Sequence, residues 1–411
     1  MPALWAPITL RYSPATMINP RLDALNDYPF ARLRALLGDV TPPAGIEPAV
    51  MSVGEPQHDP PPFVAEIIAA NAATWNKYPP VDGTPDFRRA CADWLTRRYR
   101  LAPGRIDPDR HVLPLSGTRE GLFMVGLLAT ARRKNGKPPA ALIPNPFYQA
   151  YLGAATMAGA EARFLPSDKR NDFLPDLDGV DSGVLGRAAV AFLCTPSNPE
   201  GAVASVDYLK RAIELARQHD FVLAVDECYA EIYGRTPPPG ALEATSEGDD
   251  FANLLVFHSL SKRSSVPGLR SGFVAGDANL IAAFKRLRDY SAASVPGPVQ
   301  AASAALWREE THVEANRALY RAKFDAAEKI IGGRLGFYRP DGGFYLWLDV
   351  GDGEAAAKRL WGEAAIRAMP GAYLARTDEA GRNPGQRFIR VALVHKPDAV
   401  RTALERLVKV L

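Results

Sequence analysis

The chain has 411 residues, of which 47% are hydrophobic and 23% charged, with a formal net charge of +3. That is the profile of a globular chain with ample core, long enough for two or three domains and without the basic excess of a nucleic-acid binder. The three cysteines (Cys91, Cys194, Cys228) are far apart and the six histidines lack metal-ligand spacing, so neither a disulfide framework nor a metal site is expected. No apolar run reaches membrane-spanning length, and the cytoplasm is the expected compartment.

Residues 1–16 carry three prolines and no basic start before an apolar core, so they do not read as a signal peptide; Met17 is an alternative start, or 1–16 a flexible extension. Residues 18–37 predict a short helix ending at Gly38, 42–48 a proline-rich connector, and 50–56 (VMSVGEP) a short strand ending in a glycine turn. Helical periodicity follows over 63–75 and again over 85–99, where Phe87, Cys91, Trp94 and Leu95 share a face; 78–83 is a loop between them. From there the pattern alternates. Strands are expected at 111–115, 140–144, 161–165, 190–195, 221–227, 254–259 and 272–275, with helices at 119–132, 148–158, 206–219 and 280–290. This predicts an α/β fold with a mostly parallel sheet covered on both faces, whose ligands sit beyond the carboxyl ends of the strands. A long helical stretch (299–331), strands at 344–350 and 386–394 and helices at 355–361 and 397–410 predict a smaller α+β domain. The expected division is an N-terminal extension (1–18), a segment joining the small domain (19–50), a large domain (51–296) and a small one (297–411).

Residues 258–273, HSLSKRSSVPGLRSGF, carry the most chemistry. Two hydroxyls, an amine and a guanidinium share one loop at a strand end. Lys262 can condense with a carbonyl, while Ser259, Ser261 and Arg270 can bind a phosphate. Pyridoxal phosphate presents both groups. Four other strand ends carry possible partners. Ser116-Gly117-Thr118-Arg119 places backbone N–H groups at a helix start, where they bind an anion or serve only as a cap. Tyr148 can stack on a flat ring or pack in the core. Asn198, between two prolines, offers an amide to a phenolic oxygen or forms an Asx turn. Asp226 closes an all-apolar strand; it can hold a pyridinium N–H or cap the next helix, with Tyr229 three residues on. Arg390, on an apolar strand of the small domain, suits a bidentate grip on a carboxylate or lies on an edge.

The stretches NPRLDALNDYPFARLRALL, SVGEP, SGTRE, PNPFYQAY, DECYAEIY, VFHSLSKRSSVPGLRSGFVAGD, VPGPVQAAS and GFYLWL resemble the class I/II aminotransferases among the fold type I pyridoxal-phosphate enzymes. Within that family the chain looks closest to the bacterial succinyldiaminopimelate aminotransferases. The resemblance implies that Lys262 bonds the cofactor, Asp226 its pyridine nitrogen, and Asn198 and Tyr229 its O3′, with Tyr148 stacked on the ring. It implies that Ser259, Arg270, the backbone of Thr118 and Arg119, and Ser261 hold the phosphate. Tyr78 would reach the neighbouring subunit's phosphate in a homodimer with shared sites. Arg390 would hold the substrate α-carboxylate, helped by Gly54 and Asn198. Two departures stand out. Glu200 replaces the family's usual threonine, with little effect expected, and Ser265 replaces an expected asparagine.

The implied reaction is ping-pong transamination, with glutamate as amino donor and N-succinyl-2-amino-6-oxopimelate as acceptor. Other amino-acid aminotransferases and a pyridoxal-dependent C–S lyase are the alternatives; a nucleotide-dependent dehydrogenase lacks its GxGxxG. For the distal end of a dicarboxylate the candidate cations are Arg119, Lys77 and Arg263, each flanking a motif.

Overall fold

A computed structural model describes residues 18–25, 28–291 and 294–411. Apart from Ile18, the expected N-terminal extension lies outside the described residues. The apolar runs become seven strands of one sheet: β1 Val112–Leu115, β2 Ala140–Asn145, β3 Glu161–Pro166, β4 Ala188–Cys194, β5 Val222–Asp226, β6 Leu254–Ser259 and β7 Gly272–Gly276. Their order is β1-β7-β6-β5-β4-β2-β3. The sheet is mostly parallel; β7 alone runs against both its neighbours.

Continuous apolar runs suit strands buried on both faces, and β5 shows why. Leu223 and Val225 join a core under α3 Pro85–Arg98, α6 Val206–Gln218 and α8 Gly297–Arg308. Val222 and Ala224 point the other way, into a core with α4 Thr118–Ala129, α5 Gln149–Ala158 and α7 Ala278–Ser291. Two shorter helices precede these, α1 Pro29–Leu37 and α2 Phe63–Ala70, and with them the helices run in chain order.

A second sheet of three strands, β8 Tyr345–Asp349, β9 Met369–Pro370 and β10 Phe388–Ala392, has the order β9-β10-β8. Its own core takes Leu346, Leu348, Ile389 and Val391 together with residues of α9 Thr311–Ile331, α10 Gly353–Ala364 and α11 Pro397–Val410.

Two expectations are corrected. The strand at 50–56 shrinks to Ala49–Val50, which pairs with Ile366–Arg367. Beyond it the chain becomes a strap between the two sheets, and the carbonyls of Ser52, Gly54 and His58 bond to side chains instead of a ladder. The helix expected over 299–331 breaks into α8 and α9. Glu309 turns its carboxylate onto the N–H groups of Thr311 and His312, which starts a new helix. Arg263 fixes the break from outside: one nitrogen donates to the Leu306 carbonyl at 2.6 Å and another pairs with the Glu310 carboxylate at 2.7 Å. Periodicity is blind to such a break because both halves keep the same apolar spacing. No helix among the described residues is long and apolar enough to cross a membrane.

Candidate active site

The carboxyl ends of β4, β5 and β6 open into a cleft of about 510 Å³, closed on its other side by β8, β10 and the strap. That volume holds a small organic cofactor together with a substrate. Asn198, Asp226, Tyr229, Lys262, Arg270, Thr118, Arg119, Tyr148, Gly54 and Arg390 all line it, so motifs spread over 54–390 converge in one place.

Lys262 rides on the single turn that follows β6. Ser259 caps that turn, its Oγ accepting the Ser261 N–H at 3.1 Å. Both serines are buried and neither lines the cleft; the Ser259 hydroxyl and the Ser261 N–H hold the turn. The Lys262 Nζ donates to the Gly54 carbonyl at 2.6 Å and lies 5.5 Å from the centre of the Phe344 ring. Burial pushes its pKa down to about 8, with Arg390 and Arg270 acting the same way and Cys228 and Glu55 opposing.

Asp226 ends β5 and is 5% exposed. Its carboxylate accepts the Tyr151 hydroxyl at 2.9 Å and the Cys228 N–H at 3.2 Å. Neither donor is charged, and burial raises its pKa above the usual carboxylate range. Tyr229 shares a hydroxyl–hydroxyl contact of 3.1 Å with Tyr345.

Arg390 comes from the small sheet and is likewise 5% exposed. It donates to Asn198 Oδ1 at 2.9 Å and to the Ser52 carbonyl at 2.7 Å, and stands 4.4 Å over the Tyr345 ring. With its Oδ1 so engaged, Asn198 keeps its Nδ2 hydrogens to give. The strap approaches so closely that a Cβ on Gly54 would sit 1.8 Å from the Tyr345 hydroxyl oxygen.

At the far end of the cleft Gly117 turns the chain into α4 with φ 86°, and a Cβ there would meet the Arg270 guanidinium at 2.2 Å. This turn therefore needs glycine twice over, for its dihedral and for the space. Arg270 donates to the carbonyls of Pro267, at 2.9 Å, and Ser116, at 3.4 Å. The Thr118 hydroxyl contacts Cys228 Sγ at 3.0 Å.

Tyr78 is fully exposed and does not reach the cleft of its own chain. Of the three cations considered for a distal carboxylate, only Arg119 is in the cleft, bonded through Nε to the Tyr148 hydroxyl. Lys77 lies exposed outside it. Arg263 is buried and spent on the α8–α9 break, which removes it as a candidate. Ser265 is buried away from the cleft, and its Oγ donates to the His58 carbonyl at 3.0 Å. Glu200 is buried too; Ser197 donates to it at 2.9 Å and burial pushes its pKa up to about 8.

Sequence reasoning did not find Tyr28, Glu55, Cys228, Tyr151 or Tyr345. Tyr151 had a signal: it lies three residues after Tyr148 on one helix face, so both tyrosines point toward the same strand ends.

The residues fit pyridoxal phosphate. Asp226 is a buried anion with only neutral donors, the counterpart of a pyridinium N–H. Lys262 is an amine of depressed pKa, and the glycine turn beside Arg270 is a built anion cradle. Comparisons agree with that chemistry. Residues 47–407 match the family model for aminotransferase class I and II. The LL-diaminopimelate aminotransferase of Syntrophobacter fumaroxidans is 31% identical over 400 residues, covering 95% of this chain and 97% of that protein. A crystal structure of an aminotransferase from Neisseria meningitidis is 41% identical with a TM-score of 0.90, covering 95% of this chain and 99% of the other. A probable N-succinyldiaminopimelate aminotransferase from Thermus thermophilus is 26% identical with a TM-score of 0.81, covering 93% and 100%. The chain belongs to the class I and II aminotransferases, pyridoxal-phosphate enzymes of fold type I.

Proposed function

We propose that this aminotransferase acts on diaminopimelate-type substrates as a succinyldiaminopimelate transaminase. It would interconvert N-succinyl-LL-2,6-diaminopimelate plus 2-oxoglutarate with N-succinyl-2-amino-6-oxopimelate plus glutamate, in lysine and diaminopimelate biosynthesis. The observation that carries the reading is one cleft lined both by a buried arginine for an α-carboxylate, Arg390, and by a second, exposed cation, Arg119. The names of the Syntrophobacter and Thermus proteins support the substrate class. The first of them also favours a second reading, in which unsuccinylated LL-diaminopimelate is the amine.

Bound pyridoxal phosphate supplies an electron sink that acidifies the α C–H of the amino acid. The chain's residues do the rest. Asp226 holds a proton at the ring nitrogen, the charge it lacks in the protein. Asn198 and Tyr229 donate to the ring oxygen, and Tyr148 packs on the ring face. Thr118, the Arg119 N–H and Arg270 grip the phosphate, with Ser259 and Ser261 shaping the loop. Arg390 fixes the α-carboxylate, and the Gly54 carbonyl orients the amine. Lys262, with a pKa of about 8, is partly neutral near pH 7–8 and moves the proton at Cα. The Arg119 guanidinium meets the distal carboxylate. The working form is a cytoplasmic homodimer, in which the exposed Tyr78 reaches the partner's phosphate site; exposed Trp75 nearby gives that face an apolar contact.

The test is a visible spectrum of the protein with pyridoxal phosphate, before and after L-glutamate, followed by amine transfer to 2-oxoglutarate from succinylated and free LL-diaminopimelate. A yellow band bleached by glutamate, with faster transfer from the succinylated amine, is expected. Faster transfer from the free diamine selects the second reading. Pyruvate release without an acceptor would select a lyase.

A further inference from the structure

Behind the backbone of Lys262 runs a chain of buried polar groups that none of the roles above uses. Lys323, on α9, is fully buried and has no carboxylate within ion-pair distance among the described residues. Its Nζ donates to the Leu393 carbonyl at 2.8 Å and lies 2.6 Å from His58 Nε2. On the other edge of that imidazole, Nδ1 lies 2.5 Å from Asn316 Oδ1. The Asn316 Nδ2 donates to the carbonyls of both Lys262 and Arg263, each at 3.2 Å.

These contacts fix every donor and acceptor. Two carbonyls claim the amide nitrogen of Asn316, so its oxygen must face His58 and accept. His58 Nδ1 then carries the hydrogen, and Nε2 presents a lone pair to Lys323. A second bond closes the loop, from Ser265 Oγ to the His58 carbonyl at 3.0 Å. His58 itself ends the strap whose Gly54 carbonyl receives the Lys262 amine, while Gln57 donates its N–H to the Val394 carbonyl at 3.2 Å. The lysine-bearing turn, the strap and the small sheet thus meet at one imidazole.

A buried amine without a counter-charge is costly, and a hydrophobic residue of similar volume would fill the space more cheaply. The Tyr320 ring stands 4.5 Å from Nζ and 4.8 Å from the His58 ring, and the charge of Asp59 opposes that of Lys323 at His58. Burial and Lys323 push His58 down to about 4, so the imidazole stays neutral, in one tautomer, at physiological pH.

We propose that Lys323, His58 and Asn316 act as a positioning relay for transamination, holding the Lys262 backbone from behind and in register with the strap that receives its amine. The proposal rests on reading the cleft as a transaminase site. None of the three residues lines the cleft, so they act through Lys262.

His58→Leu removes both bonds of the imidazole; His58→Gln keeps one donor and one acceptor. A loosened turn displaces the reacting amine, and a displacement near 1 Å costs about 100-fold. His58→Leu is therefore expected to lower kcat by about 10- to 100-fold, with KM for glutamate changed less because Asn198, outside the strap, also holds Arg390. It should slow, by a similar factor, the rise of the lysine-bound absorption when pyridoxal phosphate is added to the apo-protein. His58→Gln should recover most of both losses, while the melting temperature of the apo-protein is followed in parallel. Should His58→Leu not fold, Asn316→Asp makes the same test, since it keeps the shape and loses the donor to Lys262. A wild-type protein that forms the absorption while His58→Leu matches it in both rates overturns the relay alone. Equal impairment of the Leu and Gln variants also overturns it, because packing then explains the loss. A wild-type protein that forms no such absorption overturns the transaminase reading, and the relay with it.

Discussion

Of the places where the described residues bury charge, two do it in opposite ways. Glu231, 6% exposed, meets Arg98 at 2.5 Å and Arg317 at 3.0 Å, so the protein itself supplies the counter-charge. In the cleft Asp226 receives only a hydroxyl and an N–H, and Arg390 faces only an amide oxygen and a carbonyl. Both cleft charges are as buried as Glu231, yet no ion pair satisfies either among the described residues. Buried charges held by neutral partners are expensive, and the two that line the cleft stand where a ligand can bring the missing charge. The Glu231 cluster is structural by the same logic.

Substitutions can break that contrast. Lys262→Ala should cost the most: loss of a positioned proton carrier lowers kcat by about 10²–10⁴-fold, with the apo-protein still folded by circular dichroism. Arg390→Ala should lower kcat/KM for glutamate by about 10²–10³-fold, or roughly 3–4 kcal/mol, because nothing else among the cleft residues replaces its grip. The sharpest pair is Glu231→Gln against Asp226→Asn. The first leaves Arg98 without a carboxylate, while Arg317 keeps Glu314, and should cost about 3–5 kcal/mol in denaturant unfolding. The second removes a charge the fold disfavours, so the apo-protein should be unchanged or more stable while transamination collapses. Equal destabilisation by both would erase the distinction. The smallest effect is expected at Glu200. Its folded-state pKa of about 8 lies above the ordinary value of 4.5, so the fold favours its neutral form. That stabilisation is complete below about pH 4.5 and lost as pH rises through 8, a difference of up to a few kcal/mol. Glu200→Gln should therefore flatten the fall in melting temperature of the apo-protein between pH 6 and pH 9.

Asp226, Asn198 and Lys262 were legible in the sequence because each punctuates an apolar strand, where a polar residue has few structural reasons to stand. Arg390 was legible for the same reason on β10. The partners that tune them were not. Tyr345 sits inside the run GFYLWL, where alternation marks it only as core, and its meeting with Tyr229 depends on how two sheets face each other. Arg263 looked like a free cation beside Lys262, and only the packed structure shows it fixed to Leu306 and Glu310. Ser259 and Ser261 were read as phosphate ligands from their spacing, and the same spacing also lets the Ser259 Oγ cap the Lys262 turn. Tyr78, assigned by resemblance to the neighbouring subunit's phosphate, is exposed and outside the cleft of its own chain.

The break at Glu309 and Glu310 has a mechanical meaning. Helix α8 is packed along the seven-stranded sheet and α9 along the three-stranded one, and only two residues separate the helices here. Arg263 clasps that break from both sides and is the immediate neighbour of Lys262. A swing of the smaller sheet against the larger would then be felt at Lys262 through Arg263. Amide hydrogen exchange at 309–312 that changes together with exchange at 260–265 when glutamate is added would report this coupling; exchange that changes at one place and not the other would show the clasp to be slack.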